Sequence, residues 1–253
     1  MKVLILDTPD AVSARAAGLI ASHVRDKPDT VLGLATGGTM ETVYDRVIAL
    51  HRAGEVSFAG VTSFNLDEYV GLPGDHPRSY RHYMDRKLFD HIDIDPARAH
   101  LPRGDAPDPE AVARAYENAI TAAGGIDLQL LGLGANGHIG FNEPTSSLTS
   151  ITRLKTLARS TRDANSRFFP DGETPPRLAI TMGVGTIMQA REVLLVATGE
   201  AKAQAVAQVV EGAVSARWPG SILQMHRHAT LVLDRAAAGR LELYDYLMDV
   251  HPE

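Results

Sequence analysis

The feature that most constrains this chain is a repeated alternation of short apolar runs with longer amphipathic stretches, the pattern of a parallel sheet covered by helices. About seven runs carry the strand signature. They are Val3–Leu6, Val31–Ala35, Val61–Asn65, Asp127–Leu131, Leu178–Thr181, Val193–Ala197 and Thr230–Leu233. Between them, Asp10–Arg25, Met40–Ala53, Ser79–Phe89, Pro109–Ala123 and Glu200–Val210 repeat apolar residues at three- and four-residue spacing. That spacing is the stripe of a helix burying one face. An α/β chain with an open, mainly parallel sheet follows.

Proline and glycine gather at Gly71–Pro77, Leu101–Pro109 and Pro170–Pro176. The alternation continues on both sides of each cluster, so they read as loops inside one domain spanning residues 1–253. The stretch 145–176 is polar, rich in arginine and without periodicity, which predicts a lid. Apolar residues make up 44% and charged residues 22%, as in an ordinary globular protein. A net charge of −6 offers no basic footprint for nucleic acid or an anionic membrane. An anionic substrate must then be held by local groups. The chain has no cysteine, which excludes disulfides, a thiolate nucleophile and cysteine metal sites, and fits a reducing, cytoplasmic setting. The opening MKVLILDTPD is too short for a signal-peptide core or a membrane span and reads as a first strand.

Three segments could carry chemistry. In VLGLATGGTME, a buried strand runs into Thr36, Gly37, Gly38 and Thr39 before a helix near Met40. Such a turn lets backbone N–H groups and a helix N-terminus approach an oxyanion. The plainer reading is a tight βα turn with Thr39 as N-cap. In VTSFNLDEYVGL, Asp67 and Glu68 follow a strand directly. Ligands gather at the carboxyl ends of strands in open α/β sheets, where a carboxylate can act as a base. Neighbouring side chains point apart, so only one of the two should face a site. Taken alone, Asp67 is more readily a solvated or helix-capping acid than a base.

The third segment, IDLQLLGLGANGHIGFNEP, joins an apolar strand to a glycine-rich loop with Asn136, His138 and Glu143. A histidine held by an amide and a carboxylate can shuttle a proton at neutral pH. Gly132, Gly134 and Gly137 also fit G-x-G-x-x-G. The residues that follow contain Gly140 and Pro144 and cannot open a regular helix, which argues against a dinucleotide site. The histidines form no metal-ligand set at helical spacing, and no G-x-S-x-G elbow occurs. Chemistry without metal or cofactor is the expectation.

Taken in order, TGGT, FNLDEYVGL, GLGANGHIGFNEP and TRDANSRFF resemble the glucosamine-6-phosphate deaminase family over nearly the whole chain. The resemblance implies a Rossmann-like sheet with helices on both faces. It implies conversion of glucosamine 6-phosphate to fructose 6-phosphate and ammonia, in N-acetylglucosamine catabolism. By motif, Asp67 matches the base that moves a proton between C2 and C1. His138 matches the residue that opens the sugar ring, with Glu143 as its carboxylate partner. Asn136 stands where some relatives have Asp, and an amide cannot accept a proton. The phosphate would be held by Thr36, Gly37, Gly38 and Thr39 with Arg167 and Lys202, arginine being suited to phosphate by its bidentate fork. Ser146, Arg153, Lys155 and Thr156 match a pocket that binds an activator, N-acetylglucosamine 6-phosphate, at a subunit interface. The C-terminal tyrosine of that pocket is not matched: Met248 takes its place, with Tyr244 and Tyr246 nearby. Family members range from monomers to hexamers, so the resemblance allows a homo-oligomer.

Three rivals accompany this reading: a 6-phosphogluconolactonase, which has no use for an enolising Asp67, a galactosamine-6-phosphate enzyme, and a sugar-phosphate sensor of a transcription regulator. Against the sensor, no helix-turn-helix or basic segment flanks the domain.

Overall fold

The computed structural model describes residues 1–166, 169 and 173–252. The chain runs β1 (Lys2–Leu6), α1 (Pro9–Asp26), β2 (Val31–Leu34), α2 (Gly38–Arg52), β3 (Thr62–Asn65) and β4 (Asp67–Tyr69). It continues through α3 (Tyr80–Lys87), β5 (Ala99–His100), α4 (Pro109–Ala122), β6 (Leu128–Gly132), β7 (Arg153–Thr156) and α5 (Arg159–Asn165). Then follow β8 (Leu178–Thr181), α6 (Val184–Met188), β9 (Glu192–Ala197), α7 (Ala203–Val210), β10 (Ala229–Asp234) and α8 (Tyr244–Val250). Seven strands form one sheet in the order β1-β10-β9-β6-β2-β3-β5, every pairing parallel.

Strands that read as continuous apolar runs are buried on both faces, as a helix-covered parallel sheet requires. In β9 every residue from Val193 to Ala197 is buried. Helix starts follow local chemistry. Thr8 accepts a hydrogen bond from the Ala11 N–H at 3.2 Å ahead of Pro9, and Asp108 accepts one from the Ala111 N–H at 2.9 Å ahead of Pro109. The expected helix at Glu200–Val210 divides into a 3₁₀ turn, Glu200–Lys202, and α7. At the amino end of β6, buried Asp127 accepts from the Val31 N–H at 2.8 Å and from Lys27 and Arg191 at 2.7 and 2.6 Å. It ties β2, β6 and the start of β9 together.

One expectation is corrected. Leu178–Thr181 is a strand, but it lies outside the main sheet: β8 is the middle of a three-stranded sheet ordered β4-β8-β7. Asp67 and Arg153 both pair with Thr181 in antiparallel register. The main sheet's seventh place goes to β5, two residues long. A short apolar run signals burial and not its pairing partner, and β7 carries Arg153 and Lys155, which hid its strand character. The stretch expected as a lid therefore contributes β7 and α5. The small sheet encloses its own apolar group of Tyr69, Phe141, Leu157 and Ala179, separate from the main core.

Candidate active site

The TGGT loop leaves β2 and enters α2 sooner than expected. The N-cap is Gly37, at φ +115°, with no side-chain cap, so Thr39 lies within the first turn and is not the N-cap. The Met40 N–H returns to the Gly37 carbonyl at 2.9 Å. The remaining N–H groups of the first turn lack intrahelical partners and carry the positive end of the helix dipole.

The NGH loop is a tight fold-back in which the Gly134 N–H donates to the His138 carbonyl and the Gly137 N–H to the Gly134 carbonyl, both at 2.9 Å. A Cβ on Gly134 would collide with the His138 ring, so a glycine is required there. His138 Nδ1 lies 3.6 Å from Glu143 Oε2, and the Asn136 amide donates to the same oxygen at 2.9 Å. The Asn136 carbonyl oxygen in turn accepts the His138 backbone N–H at 3.2 Å. Asn136 thus clamps both partners of the His138–Glu143 pair. Burial pushes the Glu143 carboxyl up, and the His138 ring, the Thr161 hydroxyl and the Asn136 amide together pull it down to about 2. Glu143 is therefore a fixed negative charge behind His138.

Asp67 and Glu68 point apart, as successive strand residues do. Asp67 is buried against the loop at Gly140, whose φ is +53° and whose missing Cβ would sit 3.4 Å from Asp67 Oδ2. Burial, and then the Glu68 carboxylate, raise the Asp67 carboxyl to about 8, against hydrogen bonds from the Phe141 N–H and the Thr181 hydroxyl. A carboxylate that basic can accept a proton from carbon made acidic by an adjacent carbonyl.

These segments meet around one cleft of about 620 Å³ at the carboxyl ends of β2, β3, β6 and β9. Thr36, Gly37, Gly38, Thr39, Asp67, Asn136, His138 and Lys202 all line it. Glu143 stands behind His138 and does not line it. Arg167 falls outside the described residues. Ser146, Arg153, Lys155 and Thr156 are not among the residues that line the cleft. Arg153 and Lys155 share one face of β7 while Thr156 is exposed on the other. The Ser146 hydroxyl is buried and unpaired among the described residues. Met248, on α8, packs on the main core. No group of three or more His, Cys, Asp or Glu side chains among the described residues could hold a metal ion, and no described helix is long and apolar enough to cross a membrane.

Sequence reasoning missed Tyr80, Thr161 and Asn165, which also line the cleft. Thr161 and Asn165 are four residues apart on α5, within a motif used only for its arginine. Tyr80 carried no local signal.

Comparison with known proteins is consistent with this geometry. The model of the family described as glucosamine-6-phosphate isomerases/6-phosphogluconolactonase matches residues 7–232. A glucosamine-6-phosphate deaminase of Shewanella loihica is 56% identical over 253 residues, covering 100% of this chain and 94% of the relative. One from Mycolicibacterium smegmatis is 50% identical, covering 99% and 97%. A solved structure described as a monomeric glucosamine-6-phosphate deaminase superposes with a TM-score of 0.93 at 46% identity, covering 95% of this chain and 100% of that one. A 6-phosphogluconolactonase from Trypanosoma brucei shares the fold, at a TM-score of 0.75 and 21% identity over 95% of this chain and 98% of that one. The chain belongs to the family of glucosamine-6-phosphate isomerases and 6-phosphogluconolactonases.

Proposed function

We propose that the cleft converts glucosamine 6-phosphate and water to fructose 6-phosphate and ammonia. The observation that carries this reading is Asp67: a buried carboxyl raised to about 8, facing the same cleft as the His138 loop and the TGGT turn. A hydrolase of lactones needs no base that strong at carbon. Relatives at 50% identity and above named for the deaminase activity agree with it.

The order of steps follows from the substrate. In the closed ring the C2 proton is not acidic, so His138, oriented by Glu143 and Asn136, first moves a proton from the anomeric hydroxyl to the ring oxygen and frees the aldehyde. Asp67 then takes the C2 proton and returns it at C1, while the C1 oxygen gains the proton that the amine gives up, leaving a hydroxyl on C1 and an imine at C2. Water adds to that imine, the C–N bond breaks, and ammonia leaves with the ketone formed. The phosphate lies on the Thr36–Thr39 turn and the amino end of α2, with Lys202 and Arg167 as its cations.

A coupled ammonia assay on glucosamine 6-phosphate tests the reading, with galactosamine 6-phosphate and the lactone of 6-phosphogluconate in parallel. Ammonia is expected from the glucosamine compound, and Asp67→Asn should lower kcat by about 100-fold or more. Wild-type activity in that variant would end the mechanism. Binding of the sugar phosphate without ammonia release would point to a sensor. Ser146, Arg153, Lys155 and Thr156 are the proposed activator site, checked by adding N-acetylglucosamine 6-phosphate at subsaturating substrate. A flat response removes that role. Sedimentation in the same buffer reads whether the protein forms a homo-oligomer.

A further inference from the structure

We infer that Glu68 is a positioning residue which, through helix α3, fixes the separation between Asp67 and the phosphate loop. The inference rests on the amino-sugar-phosphate reading above. In that substrate the phosphate is on C6 and the proton to be taken is on C2, so one bound molecule spans two anchors. Those anchors belong to different sheets: Asp67 opens β4 of the small sheet, while Thr36–Thr39 follow β2 of the main one. Pairing of β2 with β3, continued by the Leu66 N–H on the Leu34 carbonyl at 2.9 Å, sets their backbone register, and a second link outside the cleft braces the loop and the base against it.

The first turn of helix α3 reaches both anchors. Glu68 is 2% exposed and turned away from Asp67. Its Oε1 accepts the N–H groups of Tyr69 and Tyr80 at 2.8 and 2.9 Å, and its Oε2 accepts that of Arg81 at 2.9 Å. Ser79 accepts the next two donors of the helix, from His82 at 3.0 Å and Tyr83 at 3.1 Å. Every N–H of the first turn is thereby engaged, and a carboxylate sits where the helix dipole favours it. Gly104 closes the other side, since a Cβ there would lie 3.2 Å from Glu68 Cγ and overlap the Tyr69 carbonyl. One turn along α3, the Tyr83 hydroxyl donates to the Gly37 carbonyl at 2.9 Å. Tyr80 lines the cleft, and its hydroxyl meets the Thr36 side chain. A path of hydrogen bonds therefore runs from the residue beside the base to the phosphate loop without passing through the substrate.

Glu68→Gln puts an amide NH₂ opposite a backbone N–H and removes one anchor of α3. Tyr83→Phe removes only the bond to Gly37. In both, inorganic phosphate should still compete at the loop with a Ki within about twofold of wild type, since the loop's own hydrogen bonds persist. Ammonia release should fall, by about 10- to 100-fold in kcat for Glu68→Gln and by about 3- to 10-fold for Tyr83→Phe. The double variant should lose less than the product of the two, because both act through one strut. Wild-type kcat in both variants overturns the inference. So does a phosphate Ki that weakens in step with kcat, which would mark Glu68 as a support of the fold alone. Tyr83→Phe keeps the test decisive where Glu68→Gln fails to fold. An inactive wild type that binds phosphate would refute the deaminase reading instead, so the two failures are distinct.

Discussion

Two carboxyls within the same site carry opposite consequences for stability. Asp67 has its ordinary value near 3.8 in the unfolded chain and about 8 in the fold. The folded protein then keeps a proton that the unfolded chain gives up, so this group's stabilising effect is full below about 4 and declines as pH rises towards 8. Glu143 behaves in the reverse way: held at about 2 against 4.5, it stabilises the fold above its unfolded value, and that contribution is lost as pH falls towards 2. Asp67→Asn should therefore melt above wild type at pH 8, by about 2 °C or more, with the gap closing towards pH 4. Thermal scans across that range decide it, and equal melting temperatures at pH 8 would refute the burial argument. What was legible at this scale was local in sequence. Asn136, His138 and Glu143 lie on one loop, and their mutual contacts follow from short spacing. Tyr80 and Thr161 reach the same cleft from separate helices, and one sequence carries no periodic signal for that convergence.

Among elements, those with long apolar periodicity were readable and the short polar ones were not. Six strands of the main sheet and the helices α1, α2, α3 and α4 follow from hydrophobic pattern and caps. The strands β4 and β5 run three and two residues, too few for alternation to register, and β7 carries Arg153 and Lys155 among its four. The small antiparallel sheet was invisible for that reason, and with it the fact that Asp67 begins a strand. Asp127 offers a test of how elements are joined. Burial raises its carboxyl, and hydrogen bonds from Lys27, the Val31 N–H and Thr30, with the Lys27 charge, more than reverse that, leaving it below the ordinary range. Its contribution is present above the unfolded value and is lost as pH falls through the folded one. Asp127→Ala leaves the buried Val31 N–H unpaired, which costs about 1–3 kcal/mol and lowers Tm by about 2–4 °C per kcal/mol. The kcat should stay at the wild-type level, because the site lies at the far end of the sheet. A lowered kcat with an unchanged Tm would contradict this assignment.

For the molecule as a whole, one apolar core links residues from Val3 to Leu247, and the small sheet pairs through residues that flank the cleft. We propose that the chain unfolds as one domain. Calorimetry should give a single transition whose van't Hoff and calorimetric enthalpies agree, and two resolved transitions would divide it. The order of the main sheet has a further consequence for how such a chain comes into being. Strand β1 lies beside β10, with Lys2 opposite Thr230 and Leu6 opposite Asp234, and β10 also separates β1 from β9. During synthesis β1 stays without its neighbour until residues 229–234 have left the ribosome. Until then β1, and β9 once residues 192–197 have emerged, present open hydrogen-bonding edges to other chains. Loss of β10 by truncation would make that exposure permanent, and aggregation rather than partial activity is the outcome such a product faces.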